Sequence, residues 1–196
     1  GGTILWRLPL GASGLAGHPT IGPEGNILVA SSDTLYSVAP SGSLRWSQSI
    51  GSSESSPAVD RFGRVYIGST ALGGEPQFRC VNGRNGGTLW SFPLRIASDS
   101  PPAVDAERRV FFGSDEGVFY AVDRYGLLLW HLELDEPPFR VQTRFPRYRE
   151  DGSPDAHAHV DTPPAIGPAG RLVFTLSRAA PPGGTYRLFV IAPAGR

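Results

Sequence analysis

Read for its apolar and polar positions, the chain is a succession of short alternating runs broken by turns. In the clearest unit, strands are predicted at roughly Pro102–Asp105, Arg109–Ser114, Val118–Asp123 and Leu127–Leu134. Val, Ile, Phe and Tyr fill these runs, as a pleated and packed surface favours. Gly, Asp, Asn and Pro occupy the intervals and supply tight reversals. No segment sustains apolar residues at helical spacing. The pattern predicts an all-β fold.

The pattern also repeats. HPTIGPEGNILVASS (18–32), SPAVDRFGRVYIGST (56–70), PPAVDAERRVFFGSD (101–115) and PPAIGPAGRLVFTLS (163–177) share a proline, a short apolar step, a turn and an alternating run. The tryptophans, Trp6, Trp46, Trp90 and Trp130, stand 40, 44 and 40 residues apart. A period near 40 is the length of one four-stranded propeller blade. In a ring of such blades every sheet buries both faces against its neighbours. A large aromatic at one fixed position fills the wedge between blades, and its indole N–H can reach a backbone acceptor. The four tryptophans are therefore read as structural.

The phrase AVDRYGLLLW (Ala121–Trp130) resembles the tryptophan-docking repeat of the PQQ-like β-propellers, roughly A-x-D-x-x-T-G-x-x-x-W. The third unit matches at Ala121, Asp123, Gly126 and Trp130 but lacks the threonine. The second keeps Asn82, Gly86 and Trp90, with Cys80 in the small-residue slot; the first keeps Ser37, Gly42 and Trp46, with Ala39 for the acid. The fourth, VIAPAGR, stops before its tryptophan. The resemblance implies a β-propeller of four-stranded antiparallel blades, about four in residues 1–196. Since such propellers usually have seven or eight blades, a segment of a larger ring is the favoured reading. Closure on itself as four blades and pairing with a second copy are the competing ones.

One interval breaks the period. From tryptophan to the next aligned proline the chain takes 11 to 13 residues in three units, but 34 from Trp130 to Pro164. An inserted loop is thus expected at about 136–160, on the face that also carries the loops Thr70–Gln77 and Ser177–Tyr186. Long loops in a compact fold are uncommon and tend to carry function. In the insert Arg140, Arg144, Arg147 and Arg149 are interleaved with Phe145 and Tyr148. Forked guanidinium groups among aromatics suit a protein partner, and they also suit a solvated cover or an anionic ligand. His157, His159 and Asp161 alternate along DAHAHVD and could face a divalent metal from one side of an extended chain, though a polar loop is the plainer reading. Cys80 reads as an inert packed thiol, and Asp60, Asp105 and Asp123 as turn-capping residues.

Composition narrows the partners. Formal net charge is zero, with 18 basic and 18 acidic residues, so no general attraction to nucleic acid is expected. A single cysteine allows no internal disulfide. No apolar run reaches membrane-spanning length. No phosphate-binding glycine loop, nucleophile elbow or paired catalytic carboxylates stand out. The resemblance implies two kinds of function. One is a non-catalytic scaffold for protein–protein interaction, acting through the insert face without a cofactor in a bacterial periplasm or exterior. The other is part of a dehydrogenase holding PQQ and calcium; a propeller that binds a different ligand or a metal is a further alternative read from the residues. That family's alcohol dehydrogenases commonly use adjacent cysteines, which one cysteine cannot supply, so the chain is expected not to be an enzyme.

Overall fold

The computed structural model describes residues 2–11, 17–70, 74–115, 117–134, 158–160, 162–178 and 185–192. These form four antiparallel sheets and one short 3-10 turn, Pro168–Gly170. Blade 1 is β1 (Thr20–Ile21), β2 (Ile27–Ala30), β3 (Thr34–Val38) and β4 (Leu44–Ser49). Blade 2 is β5 (Ala58–Val59), β6 (Arg64–Thr70), β7 (Pro76–Asn82) and β8 (Thr88–Pro93). Blade 3 is β9 (Ala103–Val104), β10 (Val110–Gly113), β11 (Val118–Val122) and β12 (Leu128–Glu133). In blade 4, β13 (Ala158–His159) and β14 (Ala165–Ile166) share one edge of β15 (Leu172–Arg178), and β16 (Thr185–Ile191) takes the other. Blades 1 to 3 run in sequence order from inner to outer strand, as the repeat predicts.

The tryptophans join one blade to the next. Trp6 Nε1 donates to Pro40 O at 2.9 Å, Trp46 to Gly83 O at 2.8 Å and Trp90 to Arg124 O at 3.0 Å. Each acceptor is the second residue of the turn before the following blade's outer strand. A bulge just ahead of each strand tryptophan aims the ring: the register skips between Ser37 and Val38, Cys80 and Val81, and Ala121 and Val122. The turn glycine then lies flat beneath the indole. A Cβ on Gly126 would stand 2.7 Å from Trp90, and one on Gly86 2.9 Å from Trp46. All four tryptophans are only half-buried, because the outer rim of the wedge is open to water.

Behind this rim the blades share cores. Blades 1 and 2 enclose an aliphatic cluster including Leu35, Ile50 and Ile67. At the next two junctions aromatic rings replace those side chains: Phe78 stacks on Phe112 at 3.8 Å, and Phe119 on Phe174 at 4.0 Å. Such ring pairs contribute about 0.5–1.5 kcal/mol beyond the area they bury. Nearer the inner strands a hydroxyl ladder crosses the same junctions, Ser55 Oγ to Ser100 O and Ser100 Oγ to Thr162 O, both at 3.1 Å. Gly17 holds the corresponding place in blade 1, where a Cβ would fall 2.7 Å from Ser55 O.

Two expected loops are shorter than the sequence suggests. Thr70 pairs with Pro76, so β6 and β7 extend into the predicted loop Thr70–Gln77. Thr70 N donates to Ser52 O and Thr70 Oγ1 accepts from Ser52 N, which fastens the strand end to the preceding linker. Likewise Arg178 pairs with Thr185, which draws both ends of the predicted loop Ser177–Tyr186 into strands.

Gly126 combines a φ of +83° with the contact to Trp90, whereas a Cβ on Gly74, at φ +86°, would meet nothing within 4 Å. Alanine at Gly74 should therefore cost about 1 kcal/mol of backbone strain, and alanine at Gly126 about 2–3 kcal/mol. Urea unfolding followed by tryptophan fluorescence checks this; equal midpoints for the two variants would show that the indole does not rest on the turn.

Candidate functional site

Strand direction sorts the connections onto two faces. The hairpins between second and third strands, and the linkers between blades, lie on one face; the short turns lie on the other. Hydrogen bonds brace the linkers against the hairpins of the first face. Ser53 N donates to Ser32 O, Leu94 N to Pro76 O, Asp115 N to Ala97 O and Leu134 N to Gly117 O. Buried hydroxyls repeat the tie one layer deeper, Ser53 Oγ to Gly68 O at 2.7 Å and Ser98 Oγ to Gly113 O at 2.6 Å. The linker face is therefore a braced platform.

The described ends of the insert lie on this platform, between blades 3 and 4. Its entry is fixed where Leu134, 2 % exposed, bonds to Gly117 O. Its exit is fixed where β13 pairs with β15, Ala158 opposite Arg178 and His159 opposite Ser177. The expected loop of 136–160 thus ends sooner: residues 158 and 159 are strand, and Val160 is buried in the core shared by blades 3 and 4. Val160 fills the space left by Gly113, whose absent Cβ would overlap it. The partner-binding candidates Arg140, Arg144, Phe145, Arg147, Tyr148 and Arg149 lie outside the described residues. So do His157 and Asp161 of the metal candidate, while His159 is placed by its backbone in β13. Among the described residues no group of three His, Cys, Asp or Glu side chains could hold a metal ion.

Charge divides between the faces. The described linker face carries Asp33, Glu54, Glu75, Asp99 and Asp115 against Arg95 and, placed by its backbone, Arg178. The turn face is nearly balanced: Arg61, Arg84, Arg108, Arg109, Arg124 and Arg171 stand against Glu24, Asp60, Asp105, Glu107 and Asp123. Glu24 accepts from Arg45 at 3.1 Å and faces Arg84 at 3.4 Å, and the hydrogen bond to Arg45 holds its carboxyl below the usual range. The turn face also holds a cluster that the sequence pattern does not announce. Phe62 is 58 % exposed, with the guanidinium carbons of Arg61 and Arg108 4.9 and 5.0 Å from its ring centre. Arg108 adopts φ +64° where the other repeats place Gly25, Gly63 and Gly170. A bulky residue in a glycine slot was the signal available in the sequence.

The remaining polar residues are structural in their contacts. Asp60 Oδ1 accepts from Phe62 N and Arg64 N, both at 2.9 Å, and Asp60 Oδ2 accepts from Tyr66 OH at 3.0 Å. Asp123 Oδ1 accepts from Tyr125 N and Leu127 N in the same way. Cys80 is fully buried opposite Trp90 and Tyr66, and burial pushes its thiol up to about 12. Among the described residues no side chains gather to hold a quinone–calcium centre. The one thiol is sealed in a core, and among the described residues no three acids or histidines gather where a metal ion could sit.

An open arc of four-stranded blades, each docked to the next through a tryptophan, defines the chain as a β-propeller module. A family model described as outer membrane protein assembly factor BamB matches residues 1–75 and 77–147, and the chain belongs to this PQQ-like propeller family. No curated protein sequence matches it. The structure of BamB from Moraxella catarrhalis is similar at TM-score 0.61 and 18 % identity, over 85 % of this chain and 50 % of that one. A europium-containing methanol dehydrogenase is similar at TM-score 0.56 and 15 % identity, over 81 % of this chain and 37 % of that one. Quinohemoprotein alcohol dehydrogenase from Comamonas testosteroni gives 0.58 and 12 %, over 92 % and 35 %. The chain thus spans half or less of the length of these relatives. No described helix is long and apolar enough to cross a membrane.

The buried thiol makes a pH prediction. Its folded pKa is raised to about 12 from 9.0, so unfolding releases a group that ionises sooner, and stability is lost as pH rises from about 9 towards 12. Over that window the loss approaches 1.4 kcal/mol per pH unit. Burial also raises the Tyr66 phenol, adding a loss of the same sign. Urea midpoints measured from pH 8 to 10.5 should fall less in Cys80→Ala than in the parent. A thiol reagent at pH 8 should leave native Cys80 unmodified; rapid labelling would contradict its burial.

Proposed function

We propose that this propeller is a non-catalytic scaffold of the bacterial periplasm or cell exterior, binding a protein partner through the linker face that carries the insert. The observation that supports this reading best is the construction of the insert's two ends. A long excursion leaves from a buried leucine bonded to a hairpin and returns as a strand paired within blade 4. Fixed ends on a braced platform limit the ordering that a bound partner must impose, and preorganisation of this kind raises affinity. The arginine- and aromatic-rich composition of residues 139–149 suits an interface hot spot. The acidic rim around it favours a partner surface of mixed charge. Membership of a family described by an assembly factor agrees in kind.

The dehydrogenase reading draws on the two quinoprotein neighbours, whose likeness is one of fold. Its cofactor would need ligands beyond the described residues.

Replacing residues 136–157 by a linker as short as that of blade 2 tests the scaffold reading. The shortened chain should keep its β-sheet circular dichroism and lose its partner in affinity capture. Arg144→Glu with Arg147→Glu should lower capture at least tenfold. Undiminished capture by both variants would remove the insert from the interface, and a quinone extracted from the purified protein would restore the dehydrogenase.

A further inference from the structure

The wedge between blades 1 and 2 is polar where the other two wedges are not. Side chains alternate along β7: Phe78 and Cys80 join the core shared with blade 3, and Val81 the core shared with blade 1. Arg79 therefore points with Val81 towards blade 1. Its equivalents are Tyr120 in β11 and Phe189 in β16, which pack into the cores shared with the preceding blade. The outer strand of that preceding blade changes in step. Gln48 stands opposite Leu35, as Phe92 stands opposite Phe78 and Leu132 opposite Phe119. The places held by two rings at the second wedge, Phe92 and Tyr120 at 5.6 Å, are thus held at the first by an amide and a guanidinium.

Two donors in this wedge have no protein acceptor. Arg79 is 8 % exposed, its Nε is buried, and its guanidinium makes no hydrogen bond or ion pair with a described residue. Burial alone displaces its pKa, downwards, and no carboxylate acts on it. The second donor is Ser69. Its counterparts Ser31 and Ser114 give their hydroxyls to Thr34 O and Val118 O, whereas Ser69 Oγ is buried without a partner. Ser69 shares the blade-1 side of β6 with Val65 and Ile67. The pairing of Ile67 with Arg79 and of Ser69 with Gln77 makes Ser69 a diagonal neighbour of Arg79. Diagonal neighbours on one face of a sheet lie about 7–8 Å apart, within reach of a long side chain. A desolvated cation beside a spare hydroxyl is stabilised by a counter-ion that accepts from both.

We propose that the wedge between blades 1 and 2 binds a small monovalent anion, held by the Arg79 guanidinium and the Ser69 hydroxyl and bounded by Gln48. A halide ion and a small carboxylate share the required chemistry, one negative charge that accepts from N–H and O–H donors. The anion gives the first junction the cohesion that the Phe92–Tyr120 pair gives the second. Its binding is independent of the insert and of any partner held there.

Nuclear magnetic resonance on the full 196-residue chain is the test. The chain should broaden the chloride resonance in sodium chloride, or transfer saturation to the methyl group of sodium acetate. The first signal identifies a halide site, the second a carboxylate site, and both together, each anion displacing the other, a site that takes either. Arg79→Met should lose the signals and keep its β-sheet circular dichroism, since an apolar side chain suits the wedge. Ser69→Ala should weaken binding about tenfold, the loss of one hydrogen bond to a charged group. Arg61→Met, on the exposed turn face, should change nothing. At about ten times its dissociation constant the anion should raise the folding equilibrium constant about elevenfold in urea titrations of the parent, and not of Arg79→Met. Signals no stronger in the parent than in Arg79→Met would overturn the proposal, as would signals that Arg61→Met lowers equally. Should Arg79→Met not fold, Ser69→Ala decides: affinity equal to that of the parent would overturn it.

Discussion

An indole N–H given by one blade to a turn carbonyl of the next sets the geometry on which the rest of this chain depends. The bond alone contributes about 1 kcal/mol net. Its importance lies in what must be arranged around it. The donor needs a bulge before it, so that the ring leaves the sheet at the outer rim. The acceptor needs a turn with glycine under the ring, because Gly42, Gly86 and Gly126 have no room for a Cβ. Bulge, ring and glycine recur together, so blades meet at one spacing whatever fills the core behind them. That freedom is used: the first junction is aliphatic, and the next two hold stacked phenyl rings.

The first junction also differs in polarity. Where blade 3 turns Tyr120 and blade 4 turns Phe189 back towards the preceding blade, blade 2 turns Arg79. It is 8 % exposed, its Nε has no partner, and burial lowers its pKa. The nearby Ser69 hydroxyl is likewise unsatisfied. A buried Nε–H without an acceptor costs stability, whereas the corresponding aromatic pair at the second junction, Phe92 with Tyr120 at 5.6 Å, contributes to it.

How much of this was legible depends on whether a contact leaves a periodic trace. The tryptophan does, since a rare, large residue recurring every 40 or so positions stands out against any background. The turn aspartates do as well: Asp60, Asp105 and Asp123 each accept from the amide four residues on. The hydroxyl ladder leaves almost none: Gly17, Ser55, Ser100 and Thr162 share a place in space but no common residue, and the acceptor is a carbonyl that every residue carries. Strand ends are hard to read for a related reason. Thr70 and Pro76 look like loop residues, yet cross-strand pairing and two bonds to Ser52 hold them in register. The insert was legible as a length and as a composition, but a segment outside the repeat has no sibling from which its contacts can be read.

Repetition also explains why the ends of the arc are informative. In a non-repeating fold an exposed leucine is unremarkable, since much of any protein surface is apolar. Here Leu188 has three equivalents in the same chain, all fully buried by the same neighbour. The exposure is therefore a departure from the chain's own rule. The departure at β16 is matched by another at residues 2–10, a segment that docks its tryptophan on blade 1 and pairs with no described strand. Neither feature taken singly would specify what belongs beside it.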